Sequence, residues 1–178
     1  TNNEEWANWM TSYKHFGMDQ GESRESIQFE RIGTNYKLSN ILSAVGLGQL
    51  DKIKLLLNKR KQLAQNYLDL LAGIDEITIP STTSSGTHSY QSFIIYLNDR
   101  DKVMTKMRAE GVEVQIGTYA LHLHKAFNNH PLVRIENGME NSKWCYKHAL
   151  TLPLFHDLTF DQQKQIAKNL KQNSEHSE

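Results

Sequence analysis

Between Ser39 and Ala72 the sequence runs without a proline, its apolar residues recur at helical spacing, and Gly73 offers a left-handed stop. At 1.5 Å per residue this predicts a helix about 50 Å long, more than one small domain needs. Its two parts have different character. The first carries Ile41, Ala44, Val45, Gly46, Gly48 and Leu50. Each interior glycine costs about 1 kcal/mol against alanine, so another backbone or a ligand is expected to pack closely there. The second part shows a clean stripe of Ile53, Leu56, Leu57, Leu63, Tyr67, Leu70 and Leu71, with Lys, Arg, Asn and Gln between. A helix that changes partner midway places a domain boundary near Asp51, dividing the chain into residues 1–50 and 51–178.

The flanking segments fill in an α/β pattern. Asn2 or Asn3 can cap a first helix with Glu4 and Glu5 at its positive end, and Trp6, Trp9, Met10 and Tyr13 follow at helical spacing before Gly17. Met18 to Glu30 is polar and irregular and reads as a surface loop, with Ile27 and Phe29 as a short extended piece. After Gly73 the period shortens. Ile77 and Ile79, Tyr90 to Leu97, and Val112 to Ile116 alternate as strands; Asn98 or Asp99 caps a helix burying Val103, Met104 and Met107. Residues 121–149 are helical in patches, and Leu150 to Leu154 is extended. Thr159 to Gln162 forms a capping box for a last helix that buries Ile166 and Leu170, and Gln172 to Glu178 reads as a disordered tail. This order predicts a small α/β domain with a mostly antiparallel sheet.

Composition narrows the function. A chain of 178 residues can bury a proper core, and Lys+Arg and Asp+Glu balance at 20 each. Zero net charge argues against general nucleic-acid affinity. No apolar run approaches the roughly 18 residues of a membrane span. The single cysteine, Cys145, cannot close an internal disulfide, which fits a reducing, cytoplasmic setting. The chain opens at Thr1 on residues that are already helix-like, and it reads as cut from something longer.

The eight histidines offer no metal site by spacing: His122 and His124 would share a strand face, but a third ligand lacks a position. Gly46-Leu47-Gly48 lies inside a helix and is no dinucleotide fingerprint. Two segments stand out. Gly33-Thr34-Asn35-Tyr36-Lys37-Leu38-Ser39 is a polar turn feeding a helix N-terminus, where backbone amides and Asn35 could receive a phosphate, although Gly-Thr-Asn is also ordinary turn chemistry. Gly117-Thr118-Tyr119-Ala120-Leu121-His122 puts Tyr119 and His122 at a strand end, either as ligand-contacting groups or as a hydrogen-bonded pair closing a loop.

In order, these segments resemble the C-terminal half of the DegT/DnrJ/EryC1/StrS family of pyridoxal-phosphate-dependent sugar aminotransferases. Gly33 to Ile41, then Ala44-Val45-Gly46-Leu47 and Gln49-Leu50, is similar to the family's Gly-x-Asn-Tyr-Arg turn and the helix after it. Arg60, Tyr67, Gly111-Val112, Gly117 to His122 and Leu152-Pro153-Leu154 follow in sequence, and Lys14-His15-Phe16-Gly17 resembles the Arg-x-His-Gly stretch. The resemblance covers Thr1 to about Leu170.

It implies a homodimer with active sites between subunits. Residues 1–50 would be the end of the large cofactor domain and residues 51–178 the small C-terminal domain. Asn35 would reach the cofactor phosphate, and Lys37, Tyr119 and His122 would lie near the sugar. Lys37 stands where the family has arginine, keeping the charge and losing the bidentate fork. The resemblance also places the Schiff-base lysine upstream of Thr1. The intact enzyme would pass an amino group from an amino acid to a nucleotide-linked keto sugar. The residues alone also admit a rival, a non-catalytic dimerisation module without cofactor.

Overall fold

The computed structural model describes residues 1–19, 26–128 and 130–175. They form two compact units, Thr1–Lys52 and Ile53–Glu178. In the first unit, helix α1 spans Glu4–Tyr13, and Asn3 caps it by accepting the Trp6 amide at 2.9 Å. Helix α2 spans Asn40–Leu50, with Ser39 accepting the Leu42 amide at its start. The single helix anticipated from Ser39 to Ala72 is not formed. The Lys52 amide bonds the Gln49 carbonyl, a tight i−3 turn that closes α2, and α3 begins separately at Ile53.

Helix α2 also overturns the close-packing reading of its glycines. A Cβ added at Gly46 or Gly48 would meet nothing within 4 Å. Its apolar residues point outward on every side: Ile41 is 79% exposed, and Leu42, Val45, Leu47 and Leu50 are exposed as well. The first unit buries no large apolar side chain among the described residues. A surface this apolar is the signature of an interaction face.

The second unit has its own core. Helix α3 covers Ile53–Leu71 and strand β1 Phe93–Tyr96, followed by α4 at Arg100–Ala109 and β2 at Gln115–Ile116. Then come α5 at Glu140–His148, β3 at Ala149–Leu152 and α6 at Phe160–Glu175. The sheet is antiparallel in the order β1-β3-β2. Strands are shorter than the alternation implied: the Ile77–Ile79 segment contributes only a bridge from Thr78 to Tyr96. Directly opposed pairs set the faces. Phe93 with Leu152 and Ile95 with Leu150 turn inward against α3, α4 and α6, joined by Tyr67, Met107, Ile166 and Leu170. Ile94, Tyr96 and Ala149 occupy the other face, where α5 lays Trp144 against the Tyr96 ring at 4.9 Å.

Polar groups tie the helices to this sheet. Buried Gln163 donates to the Leu63 carbonyl at 2.8 Å and accepts from Asn66 at 2.8 Å, locking α6 to α3. Arg100 is buried and donates to the Tyr146 carbonyl in the last turn of α5 and to the Ala149 carbonyl at the start of β3, which also accepts from the Gly117 amide. The capping box at the start of α6 forms in both directions between Thr159 and Gln162. Helix α6 runs on to Glu175 with Asn173 and Ser174 buried, so the anticipated disordered tail is helical that far, and 176–178 lie outside the described residues.

Tyr67 is wholly buried and donates its hydroxyl to the Pro153 carbonyl at 2.9 Å. Burial pushes its phenol well above the ordinary value, against a smaller opposing effect of Gln163. Above about pH 10 the unfolded chain therefore sheds a proton that the folded chain keeps, and stability falls as pH rises. We expect a loss approaching about 1.4 kcal/mol per pH unit above pH 10 from Tyr67, so that the decline is shallower in Tyr67→Phe, where only smaller contributions such as that of the raised Tyr96 phenol persist, as read by denaturant titration at pH 8 to 11. Leu150→Ala, which hollows the centre of the sheet, should cost about 2–5 kcal/mol at neutral pH in the same assay.

Candidate functional site

The segment Gly33–Lys37 is built by pairing with the chain just after α1. Phe16 donates its amide to the Thr34 carbonyl, Thr34 to Tyr13, and Tyr36 to Lys14, all at 2.9 to 3.1 Å. These bonds make an antiparallel bridge between His15 and Asn35. The bonds lie on either side of that pair, the arrangement in which opposed side chains stand closest and share one face. The long polar loop is pinned lower down by a second bridge, Met18 to Phe29, while residues 20–25 lie outside the described set.

Two glycines permit this. Gly17 has φ +85°, and a Cβ there would overlap the Arg31 carbonyl. A Cβ on Gly33 would fall 2.6 Å from the Phe16 carbonyl carbon and 2.7 Å from the Tyr13 oxygen. Neither position admits a side chain. Phe16 itself adopts φ 62°, a left-handed conformation that costs a non-glycine residue about 1–3 kcal/mol and persists only where the surroundings enforce it. The turn is therefore a rigid ribbon with a forced shape.

On that ribbon Asn35 and Lys37 are exposed. The Lys37 amide bonds Asn35 Oδ1 at 3.3 Å, so the Nδ2 hydrogens of Asn35 are the donors available to a ligand. Lys37 Nζ lies 2.7 Å from His15 Nδ1 and 5.1 Å from the centre of the Phe16 ring. Sequence spacing does not mark His15 as a site residue. Its only signal was its place in Lys14-His15-Phe16-Gly17, since the pairing with Asn35 depends on register and not on spacing.

Tyr119 and His122 belong to the second unit. Gly117 brings this segment against the sheet: a Cβ there would sit 2.7 Å from that of Ala149 and 3.0 Å from Ile94. Leu121–Leu123 then form a 3-10 turn instead of continuing a strand. Tyr119 is 57% exposed, and its ring neighbours are His124 and Tyr146, at 6.0 and 5.8 Å, in place of His122. The Nε2 atoms of His122 and His124 are both buried without a hydrogen-bond partner. Beside Thr118 a cavity of about 450 Å³ opens onto Tyr96, Asn141 and Cys145. A larger groove of about 700 Å³ runs between residues 110–115 and α6, and none of Asn35, Lys37, Tyr119 and His122 lines it. Among the described residues no three His, Cys, Asp or Glu side chains gather as a metal-holding group, and no helix is long and apolar enough to cross a membrane.

The other motif residues turn out to be architectural. Arg60 donates to the carbonyls of Tyr90 and Gln91 at 2.8 and 2.9 Å, fixing the entry to β1. Tyr67 and Pro153, widely separated in sequence, are partners in one hydrogen bond.

A family model described as the DegT/DnrJ/EryC1/StrS aminotransferase family matches residues 1–171. DesV of S. venezuelae, solved in complex with a ketimine intermediate, is similar with TM-score 0.85 and 23% identity over 100% of this chain and 46% of its own. A sugar aminotransferase candidate from Streptococcus pneumoniae in its PMP form is similar with TM-score 0.82 and 20% identity, over 98% of this chain and 46% of its own. An uncharacterised protein of Methanocaldococcus jannaschii is 21% identical over 174 residues, 90% of this chain and 45% of its own. The chain thus spans about half the length of these relatives.

If the ribbon depends on bare backbone contact, Gly33→Ala must break it. Amide exchange at Phe16 and Thr34 should accelerate at least tenfold, the equivalent of about 1.4 kcal/mol, while the amides of β3 keep their protection; NMR-detected exchange measures both.

Proposed function

Because the chain belongs to the DegT/DnrJ/EryC1/StrS aminotransferase family, we propose that it is the C-terminal portion of a pyridoxal-phosphate-dependent enzyme that aminates nucleotide-linked keto sugars. In this reading residues 1–50 end the large cofactor domain and residues 51–178 are the small C-terminal domain. The amino group comes from an amino acid such as glutamate or glutamine, and the enzyme works as a cytoplasmic homodimer.

The ribbon carries the reading. It holds the carboxamide of Asn35 and the ammonium of Lys37 on an exposed, conformationally forced surface, and both groups donate N–H bonds of the kind a phosphate accepts. Pyridoxal phosphate, when bound, supplies the electron sink that makes amino-group transfer possible. This chain's own residues then bind and orient. Asn35 holds the cofactor phosphate across the subunit boundary. Lys37 places a point charge toward the anionic part of the substrate, and Tyr119 and His122 shape the sugar's surroundings. The uncovered apolar surface of α2 supports association through the first unit.

The lysine that anchors the cofactor lies, in this reading, outside these residues. Borohydride reduction of the chain in the presence of pyridoxal phosphate should leave no stoichiometric pyridoxyl-lysine by peptide mass mapping. A single modified lysine at full occupancy would refute the assignment of this chain as the non-anchoring half.

A further inference from the structure

We infer that His15 is a positioning residue that completes a phosphoryl-binding constellation with Asn35 and Lys37. The inference rests on the anion reading of the ribbon given above and adds a residue and a role to it.

The problem His15 solves is set by Lys37. A lysine in a place suited to arginine keeps the charge but carries it on a flexible stem with no planar fork, so its ammonium needs something to aim it. The ribbon provides two such restraints. The bridge of His15 to Asn35 brings the imidazole onto the same face as Asn35. From there Nδ1 stands 2.7 Å from Lys37 Nζ, while the Phe16 ring lies under the ammonium at 5.1 Å. Lys37 can only donate, so Nδ1 accepts, and the ring proton of this His15 tautomer sits on Nε2. One of the three ammonium hydrogens is then committed to His15, and two remain for a ligand oxygen. Together with the Asn35 Nδ2 group they form a set of donors on one side of a rigid backbone. That set fits two neighbouring phosphoryl groups, one at Asn35 and one at Lys37, and pyrophosphate probes both.

The register that creates the constellation is itself enforced. Gly33 touches backbone on its Cβ side, and Phe16, next to His15, is held left-handed. Sliding the pairing by one residue would send His15 to the opposite face from Asn35. The backbone packing at Gly17 and Gly33 thereby keeps the imidazole where the ammonium needs it, at the cost of the left-handed Phe16.

The test is a titration of the 178-residue chain with inorganic pyrophosphate, following the His15 ring resonances and the Asn35 side-chain amide by NMR. Both should move saturably and together, and the His15 nitrogens should show the Nε2-protonated tautomer. His15→Phe keeps the ring and loses the acceptor, and it should weaken binding about tenfold, the worth of one hydrogen bond to a charged group. His15→Asn, which restores an acceptor, should recover most of the loss. In a Lys37→Arg background the guanidinium carries its own fork, so His15→Phe should matter several-fold less. Binding unchanged in His15→Phe but lost in Asn35→Ala would overturn the positioning role and leave the anion reading intact. Failure of the unsubstituted chain to bind pyrophosphate saturably would overturn both, while leaving the family assignment untouched.

Discussion

The shape of the Gly33–Lys37 ribbon depends on two positions that carry no side chain. Gly17 and Gly33 allow three stretches of backbone, around Tyr13, Phe16 and Arg31, to touch where any Cβ would intrude. That contact fixes the register of the ribbon, and register decides which side chains share its exposed face. Everything proposed for Asn35, Lys37 and His15 is downstream of a packing constraint between main-chain atoms. A hydrogen-bonding residue could be exchanged for another at some cost; a glycine in close backbone contact cannot be exchanged at all.

The second unit is organised by the more familiar route. Its core is apolar, and its polar ties run from side chain to backbone: Tyr67 to Pro153, Arg60 to the entry of β1, Arg100 to the end of α5, and Gln163 to α3. Each of these ties a side chain of one element to the main chain of another. Residues that look like parts of a family signature in the sequence thus divide into two kinds. Arg60, Tyr67 and Pro153 hold the frame of the second unit, whereas Asn35 and Lys37 are exposed on the ribbon of the first.

What could be read in the sequence follows the same division. The stripes of α1, α3 and α6, the Asn3 cap, the Gly73 stop and the capping box at Thr159 are local signals, and the structure contains each of them. The antiparallel character of the sheet was legible too, but strand lengths were not. Alternation at Ile77–Ile79 and Val112–Ile116 reports which side chains face inward, whereas strand length depends on partners that sequence spacing does not name. The break after Leu50 was hidden for a related reason, because no proline or glycine between Leu50 and Leu71 marks it and only a tight turn at Lys52 parts the two helices. The proximity of His15 to Lys37 was the hardest feature to foresee, being set by contacts across the loop.

Helix α2 carries one more implication. A helix whose apolar side chains face every direction without a core beneath them gains nothing from its own unit for keeping Ile41, Val45 or Leu47. Those identities must instead be dictated by whatever surface closes over them. In the proposed assembly the template for this stretch of sequence is therefore external, and changes there would be judged by the fit of that assembly more than by the stability of the unit that carries them.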